Sequence, residues 1–190
     1  MKSMVSRRAF SGFAVGASAL VTAAGGGWPA RSALAASPGL RDYGTAPEFA
    51  GIDKWLNSEP LTLQGLAGKV VLVDFWTYSC INCIRTLPHV VRWYEKYKDQ
   101  GFVVVGVHSP EFAYEKSTRN VQDAIERFNI RYPVAQDNSF TTWRAYNNQY
   151  WPAFYLVDGK GQVMRQHFGE GEYAEMEAAI EVLLARRPAG

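Results

Sequence analysis

The chain contains only two cysteines, in the sequence Cys80-Ile81-Asn82-Cys83. Two cysteines in a secreted protein usually form a structural disulfide. A bond between Cys80 and Cys83 would close a very short loop, so it would restrain the unfolded chain much less than a long-range bridge. The spacing therefore predicts a redox-active dithiol rather than a structural bridge.

The elements on either side of the pair assign a role to each cysteine. A nearly continuous apolar run, residues 69–76, has the length of a buried strand, and apolar residues recur at helical spacing from Ile84 to Tyr97. Cys80 is then placed at a helix N-terminus, where unpaired N–H groups and a partial positive charge stabilise a thiolate. We expect Cys80 to attack a partner disulfide and Cys83 to resolve the mixed disulfide.

Other uses of the cysteines are compatible with parts of the sequence. A zinc site needs four ligands, and there is no second cysteine pair to complete one. Thr77-Tyr78-Ser79-Cys80 has the spacing of a peroxidatic Thr-x-x-Cys motif, so a peroxiredoxin-like peroxidase is the alternative enzyme. A copper-binding chaperone would combine both cysteines with His108 or His167. The third histidine, His89, is predicted to be a solvated helix residue.

The rest of the sequence alternates between strand and helix patterns, which predicts an α/β fold with a parallel strand-helix-strand unit around the dithiol. A hairpin turn is expected at Asp158-Gly159-Lys160-Gly161. The predicted strands are 61–63, 69–76, 102–107, 132–135, 153–157 and 162–168. The predicted helices are 84–97, 118–128, 140–146 and 173–186.

The N-terminal region has the pattern of an export signal. Paired arginines, Arg7 and Arg8, precede a weakly apolar run, and Ala33-Leu34-Ala35 matches the small residues that a signal peptidase accepts. This resembles a twin-arginine signal, with a retained membrane anchor as the alternative, and either one would place the protein outside the cytoplasm. The predicted organisation is a signal peptide at 1–35, a poorly ordered linker at 36–47 and one folded domain at 48–190.

The composition supports a single packed domain and argues against nucleic-acid binding. Apolar residues make up 47% of the chain, and the formal net charge is +2. Removal of residues 1–35 would leave 16 basic against 18 acidic side chains. A domain so close to neutral has no basic field to attract nucleic acid.

Residues 48–186 resemble the thioredoxin superfamily, and within it the TlpA-like extracytoplasmic branch. The matching segments are Val71-Leu72-Val73-Asp74-Phe75-Trp76, the two cysteines, Pro88, and Trp151-Pro152-Ala153. The sequence from Trp76 to Cys83, together with Ser109-Pro110-Glu111-Phe112, is similar to the thioredoxin-like domain of DipZ-type proteins. The resemblance implies a thioredoxin-like fold, with a central mixed β-sheet flanked by helices and a TlpA-like insertion.

The resemblance also implies roles for four further residues. Asp74 matches the buried carboxylate that accepts or relays the proton of the resolving cysteine, and burial would raise its pKa; a strand-end aspartate is the alternative. Pro152 matches the cis-proline that faces the dithiol, and Trp151, unusually large before this proline, is expected to shape the substrate groove. Trp76 matches the aromatic residue that covers the site, although a core aromatic fits this position equally well.

The implied function is an extracytoplasmic thiol-disulfide oxidoreductase that acts as a reductant on exported proteins. The implied partners are the thiols or disulfides of those proteins and a membrane electron-transfer protein as redox donor. We expect a monomer with no cofactor and no metal. Two departures limit the comparison, because Ile81-Asn82 replaces the Gly-Pro of thioredoxin and Thr86 stands where many TlpA-like proteins carry an acidic residue. The redox potential and the substrate preference therefore do not transfer.

Overall fold

The structure, a computed structural model, describes residues 39–187, and these form six strands and four α-helices. The strands are β1 (Lys54–Leu56), β2 (Val70–Trp76), β3 (Phe102–His108), β4 (Val134–Gln136), β5 (Ala153–Val157) and β6 (Val163–Phe168). The helices are α1 (Ile81–Tyr97), α2 (Thr118–Arg127), α3 (Thr141–Ala145) and α4 (Tyr173–Ala185), with short 3₁₀ turns at Lys98–Gln100 and Ala113–Lys116. The predicted signal peptide lies outside the described residues. None of the helices within residues 39–187 is long and apolar enough to cross a bilayer.

The strands form one mixed sheet in the order β1-β4-β3-β2-β5-β6. The central strand β2 is parallel to β3 and antiparallel to β5. All seven of its residues are buried, because both faces of the sheet are covered, and this explains its nearly continuous apolar sequence. The predicted parallel unit, β2-α1-β3, and the thioredoxin-like fold are confirmed.

Two apolar clusters cover the two faces of the sheet. The first joins Leu72 and Trp76 of β2 to buried residues of α1, α2 and α4, and the second joins Phe75 to Trp143 of α3 and Tyr155 of β5. Successive strand residues point to opposite faces. Asp74 therefore lies on the same face as Leu72 and Trp76, beneath α1.

The residues that α1 buries differ in part from the apolar residues, at helical spacing, that the sequence predicts to be buried. Leu87, Val90 and Tyr97 are buried as expected, but Trp93 is also buried while Tyr94 is only partly covered. The reason is that α4 packs against this side of the helix. Its Glu177 accepts hydrogen bonds from the Trp93 indole, at 3.3 Å, and from the Tyr97 hydroxyl, at 3.1 Å.

The predicted strand at Leu61-Thr62-Leu63 is wrong, because residues 61 and 62 are irregular and a turn begins at Leu63. The backbone N–H of Leu63 donates to the Glu48 carboxylate at 2.7 Å, and that of Gly65 donates to the Thr62 hydroxyl at 2.9 Å. These side-chain acceptors take the place of a strand partner. The edge strand is instead β1, which pairs antiparallel with β4 and is too short for an alternating pattern to identify.

The expectation of a poorly ordered linker is also wrong for residues 39–47. The backbone N–H groups of Arg41, Tyr43 and Ala46 donate to carbonyl oxygens of Met164, Val163 and Gly161 at 2.8 to 2.9 Å. The outer edge of β6 would otherwise present unpaired backbone groups, and this segment covers them. Between β3 and β5 the chain carries α2, β4 and α3.

Candidate active site

Cys80 is the N-cap residue of α1, at the end of the loop that follows β2. Its sulfur accepts a hydrogen bond from the Cys83 N–H at 3.4 Å, and it lies 3.9 Å from the carbonyl oxygen of Trp151. The hydrogen bond from the Cys83 side chain lowers the pKa of Cys80 to about 6; the backbone N–H groups of Cys83 and Asn82 contribute, and partial burial opposes them. Cys80 is therefore a partly exposed thiolate at neutral pH, as an attacking cysteine must be.

Cys83 lies one turn into α1 and is fully buried. Burial is the main cause that raises its pKa well above that of an ordinary thiol, and the charges of Cys80 and Asp74 raise it further. Both cysteines are free thiols in the structure. Cys83 thus keeps its proton until a nearby group accepts it, which suits a resolving cysteine.

Asp74 lies in the middle of β2, opposite Gly106 of β3 and Phe154 of β5. Its side chain is buried, and neither carboxylate oxygen has a hydrogen-bond partner among the described residues. Desolvation raises its pKa to about 8, in the direction that the sequence predicts. A carboxyl group with this pKa can exchange a proton with a thiol close to neutral pH.

Gly106 provides room for two aromatic side chains beside Asp74. A Cβ atom at this position would lie 3.0 Å from Trp76 Nε1 and 3.0 Å from Tyr132 Cε2. The Tyr132 hydroxyl is buried, and burial together with the charges of Asp74 and Cys83 raises its pKa well above the ordinary value. Tyr132 is therefore a third titratable group at this position, which the sequence does not reveal because Tyr132 reads only as a strand residue.

Trp76 is completely buried, and its ring makes an edge contact with His108 at 5.3 Å between ring centroids. It cannot touch a substrate in this arrangement. Of the two roles that the sequence left open, the structure supports that of a core aromatic beneath the active-site loop.

The Trp151-Pro152 peptide bond is cis, as predicted. The indole N–H of Trp151 donates to the Ser109 carbonyl at 2.9 Å, and its ring packs on Trp143 with centroids 4.2 Å apart. The Pro152 carbonyl accepts a hydrogen bond from the Gly169 N–H at 2.8 Å. These contacts fix the loop so that the Trp151 carbonyl faces the Cys80 sulfur.

Glu115, in the 3₁₀ turn after β3, holds the loop that precedes Cys80. Its buried carboxylate accepts hydrogen bonds from the Ser79 hydroxyl and from the backbone N–H groups of Glu111, at 2.5 Å, and Phe112, at 2.9 Å. Burial disfavours its charge, but these hydrogen bonds outweigh that effect and lower its pKa. The sequence analysis missed this residue, and the only local signal was its position shortly after Ser109-Pro110-Glu111-Phe112.

The arrangement of the histidines does not favour a copper chaperone. His108 is buried with Nε2 3.3 Å from the Thr77 hydroxyl, and burial lowers its pKa to about 4. His167 Nδ1 lies 3.4 Å from Glu172. His89 is partly buried and stacked on Tyr173 at 3.7 Å, so the expectation of a solvated residue is wrong. Within residues 39–187, no group of three or more histidine, cysteine or acidic side chains could hold a metal ion.

The Thr77 hydroxyl is also important for the peroxidase hypothesis. A peroxidatic Thr-x-x-Cys motif needs this hydroxyl beside the cysteine sulfur. Thr77 is instead buried and directs its hydroxyl to His108, and it also stabilises the charged Glu115. The geometry therefore favours disulfide exchange.

A dithiol at the N-terminus of a helix, within a sheet of this strand order, is the arrangement that defines the thioredoxin-fold class of proteins. A family model described as thioredoxin-like matches residues 68–163, and the chain belongs to this family.

Comparison with known proteins agrees with this assignment. The chain is 51% identical over 148 residues to the protein DipZ of Mycobacterium tuberculosis (strain CDC 1551 / Oshkosh), a match that covers 76% of this chain and 21% of DipZ. It is 30% identical over 139 residues to the thiol-disulfide oxidoreductase YkuV of Bacillus subtilis, which covers 73% of this chain and 93% of YkuV. A solution structure of a thioredoxin-like protein in the oxidised form aligns with a TM-score of 0.70 and 29% identity, over 76% of this chain and 97% of that one. The chain thus spans about a fifth of DipZ and most of YkuV, and the predicted similarity to the thioredoxin-like domain of DipZ-type proteins is confirmed.

Proposed function

We propose that this protein reduces disulfides in exported proteins through the Cys80-Cys83 dithiol. The observation that carries the proposal is the division between the two sulfurs: a partly exposed Cys80 with a pKa of about 6 and a buried Cys83 whose pKa is raised. Cys80 can attack as a thiolate, and Cys83 keeps its proton until the mixed disulfide has formed.

The reaction begins when the Cys80 thiolate attacks one sulfur of a partner disulfide. A bond forms between Cys80 and that sulfur, the partner disulfide breaks, and the other partner sulfur leaves as a thiolate. Cys83 then loses its proton and attacks the Cys80 sulfur, which forms the Cys80–Cys83 disulfide and releases the second partner sulfur. Two electrons have passed from the dithiol to the partner.

Asp74 is the group that accepts the proton of Cys83 in this proposal. The two side chains interact electrostatically, and Asp74 lies on the face of β2 that α1 covers. With a pKa of about 8, an ionised Asp74 is a strong enough base to receive a proton when Cys83 begins its attack. The Pro152 loop would hold the partner chain beside Cys80, with Trp151 next to the sulfur.

The proposed direction, reduction, rests on the pKa of Cys80. A very acidic cysteine stabilises the reduced enzyme and makes it an oxidant, as in DsbA with a pKa of about 3.5, whereas thioredoxin has a value of about 7. The value of about 6 in this chain lies closer to that of thioredoxin. A dithiol of this kind needs a donor, which we propose to be a membrane electron-transfer protein.

The proposed location is outside the cytoplasm, and the support for it is the twin-arginine pattern around Arg7 and Arg8. We propose a signal peptide at residues 1–35 and a monomeric folded domain, to which residues 39–47 of the predicted 36–47 linker belong because they pair with β6. Export of a reporter fused behind residues 1–47, and its loss in Arg7→Lys with Arg8→Lys, would test this placement.

The activity is tested by mixing the reduced, desalted protein with a disulfide-bonded protein such as insulin and by counting the thiols on the insulin chains after they are separated from the enzyme. We expect two new partner thiols for each dithiol oxidised, and none in Cys80→Ser. A reduction potential close to about −270 mV, the thioredoxin value, would support a reductant, and one close to about −120 mV, the DsbA value, would contradict it. Cys80-dependent consumption of peroxide that is faster than disulfide exchange would favour the peroxidase alternative.

A further inference from the structure

The chain that follows β3 contacts both segments that flank Cys80. Residues 109–116 are here called the β3 turn. The carbonyl of its first residue, Ser109, accepts a hydrogen bond from the Trp151 indole N–H at 2.9 Å. The carbonyl of Trp151 in turn lies 3.9 Å from the Cys80 sulfur. The β3 turn therefore fixes the group on one side of this sulfur.

The segment on the other side of the sulfur is held by Glu115. Its buried carboxylate accepts a hydrogen bond from the hydroxyl of Ser79, which directly precedes Cys80. It also accepts the backbone N–H groups of Glu111, at 2.5 Å, and Phe112, at 2.9 Å. Among the described residues, no basic side chain forms an ion pair with Glu115. The hydrogen bonds of this buried charge therefore go to the β3 turn and to the loop before the nucleophile.

The same loop is connected to the second cysteine through Thr77. The Thr77 hydroxyl is buried 3.3 Å from His108 Nε2, and it stabilises the charged form of Glu115. Burial raises the pKa of Cys83, and a hydrogen bond from the Thr77 backbone opposes this effect. The loop that Glu115 holds thus carries groups that act on both sulfurs.

Two exposed hydrogen bonds join the same segments, but they are weaker than those of Glu115. The Tyr114 hydroxyl lies 3.1 Å from the Ser79 hydroxyl, and the Tyr78 hydroxyl donates to the Tyr114 carbonyl at 3.1 Å. Both are neutral and open to water, which competes for the same groups. Hydrogen bonds to a buried carboxylate are stronger, because an ion takes part and water is excluded. The charge of Glu115 is therefore the main restraint on the loop.

We infer that Glu115 is a positioning residue for the first attack, and that it holds Ser79 so that the Cys80 sulfur stays at the N-terminus of α1. This inference rests on the proposed disulfide exchange and specifies what keeps its nucleophile in place. At this position the Cys80 sulfur accepts the Cys83 N–H at 3.4 Å. A loop that is free to move would lose this bond, and the thiolate would be less stable.

A positioning role and a purely electrostatic role predict opposite effects. A negative charge close to a thiol disfavours its ionisation. Glu111, in the same turn, acts in this way: the Cys83 side chain is the main cause of the low pKa of Cys80, and the charge of Glu111 opposes it. Replacement of a carboxylate that acts only through its charge would therefore lower the pKa of Cys80. Replacement of one that positions the sulfur raises it.

The test is the pH midpoint of Cys80 alkylation by iodoacetamide in the reduced 190-residue chain, with mass spectrometry to locate the label. We expect Glu115→Gln to raise the midpoint by about one unit and Glu111→Gln to lower it. Glu126→Gln, which removes an exposed charge from α2, is the matched control and should leave the midpoint unchanged.

A second variant keeps the test decisive if Glu115→Gln does not fold. Ser79→Ala removes the hydrogen bond to Glu115 at an exposed position, so the core stays intact. We expect it to raise the midpoint, although by less than Glu115→Gln, because the other bonds of the carboxylate remain. The double variant should match Glu115→Gln, since both changes act through one contact.

The equilibrium between dithiol and disulfide provides an independent measurement. A stable thiolate favours the reduced protein. A midpoint raised from about pH 6 to about pH 7 should therefore shift the equilibrium with glutathione at pH 7 towards the Cys80–Cys83 disulfide by about fivefold. A residue that supports only the fold would change denaturant unfolding and leave both the midpoint and this equilibrium unchanged.

Three outcomes would overturn the inference. An unchanged midpoint in Glu115→Gln, together with lower stability, would assign Glu115 to the fold alone. A lowered midpoint would show that it acts through its charge. An unchanged midpoint in Ser79→Ala would show that Ser79 is not the residue through which it acts. All three leave the proposed function intact, which fails instead if the wild-type dithiol does not reduce insulin.

Discussion

The carboxylate of Glu115 accepts a hydrogen bond from the hydroxyl of Ser79, the residue directly before Cys80, the proposed nucleophile. The two residues are 36 positions apart in sequence, and no other acidic side chain bonds to this loop among the described residues. The contact joins the turn after β3 to the loop after β2. Because Glu115 also accepts two backbone N–H groups, it fixes both segments together.

We expect Glu115→Gln to destabilise the protein by about 2 kcal/mol, since it replaces hydrogen bonds to a buried charge by weaker neutral ones. Denaturant unfolding at pH 7 measures this loss, and Glu126→Gln, which changes an exposed side chain of α2, is the matched control. The pKa of Glu115 is lowered in the folded state. Its contribution is therefore complete above the unfolded value of about 4.5 and is lost as the pH falls through the lower folded value. A difference that persists unchanged at low pH would contradict this role of the charge.

The two cysteines should differ in the adducts that they form. We expect Cys83→Ser to accumulate a mixed disulfide with a partner protein through Cys80, because the resolving thiol is missing. Cys80→Ser should form almost none, since the buried Cys83 cannot reach a partner. Mass spectrometry of the non-reduced proteins measures the adducts. Adducts in Cys80→Ser alone would mean that the assigned roles are reversed.

The reactivity of Cys80 should depend on Cys83. The rate of alkylation by iodoacetamide is expected to rise with a midpoint close to pH 6, the pKa of Cys80. Because the Cys83 side chain is the main cause of this low value, Cys83→Ala should move the midpoint upward by about one unit or more. An unchanged midpoint would assign the stabilisation of the thiolate to the helix N-terminus instead.

Asp74→Asn should slow the resolving step and leave the first attack less affected. The mutant cannot accept the Cys83 proton, so release of the mixed disulfide should be slower by about tenfold or more near neutral pH. Wild-type resolution should become faster with pH up to about pH 8, where Asp74 ionises. Single-turnover kinetics from pH 5 to 9 measure both steps. Equal resolution rates in the two proteins across this range would exclude Asp74 as the proton acceptor.

The same substitution should stabilise the protein. A carboxyl group with a pKa of about 8 when folded and 3.8 when unfolded keeps its proton only in the folded state between these values. Wild-type stability therefore falls as the pH rises from about 4 to about 8, and Asp74→Asn removes this dependence. We expect a gain of about 2 kcal/mol at pH 7, less than the full linkage effect because the amide is also buried without a partner. Lower stability of the mutant in denaturant unfolding would show that the carboxylate is satisfied in solution.

The sequence was sufficient for those parts of the site that depend on neighbouring residues. Cys80 and Cys83 are positioned by a strand, a loop and a helix that follow one another in the chain, so their spacing alone predicted a dithiol at a helix N-terminus. The buried position of Asp74 followed from the apolar residues around it in the same strand. The cis bond before Pro152 followed from the resemblance.

Other features required contacts between distant segments, and the sequence analysis missed or misplaced them. The strand assigned to Leu61-Thr62-Leu63 does not form because Glu48, 15 positions earlier, accepts the Leu63 N–H. Residues 39–47 are ordered because the edge of β6 offers them backbone partners. Neither partner can be recognised from local composition.

The sequence by itself determined the α/β class and predicted the two reacting sulfurs with their order of action, since all of these depend on residues close together in the chain. Only the tertiary structure decided what surrounds them. Sheet pairing brings the turn after β3 to the loop before Cys80, which makes Glu115 a support for that loop. It also brings the exposed apolar residues Ile81, Phe112, Tyr114, Tyr150 and Phe168 together around the sulfur from four separate segments. Such groupings depend on the order of strands in the sheet, and no local pattern of residues encodes that order.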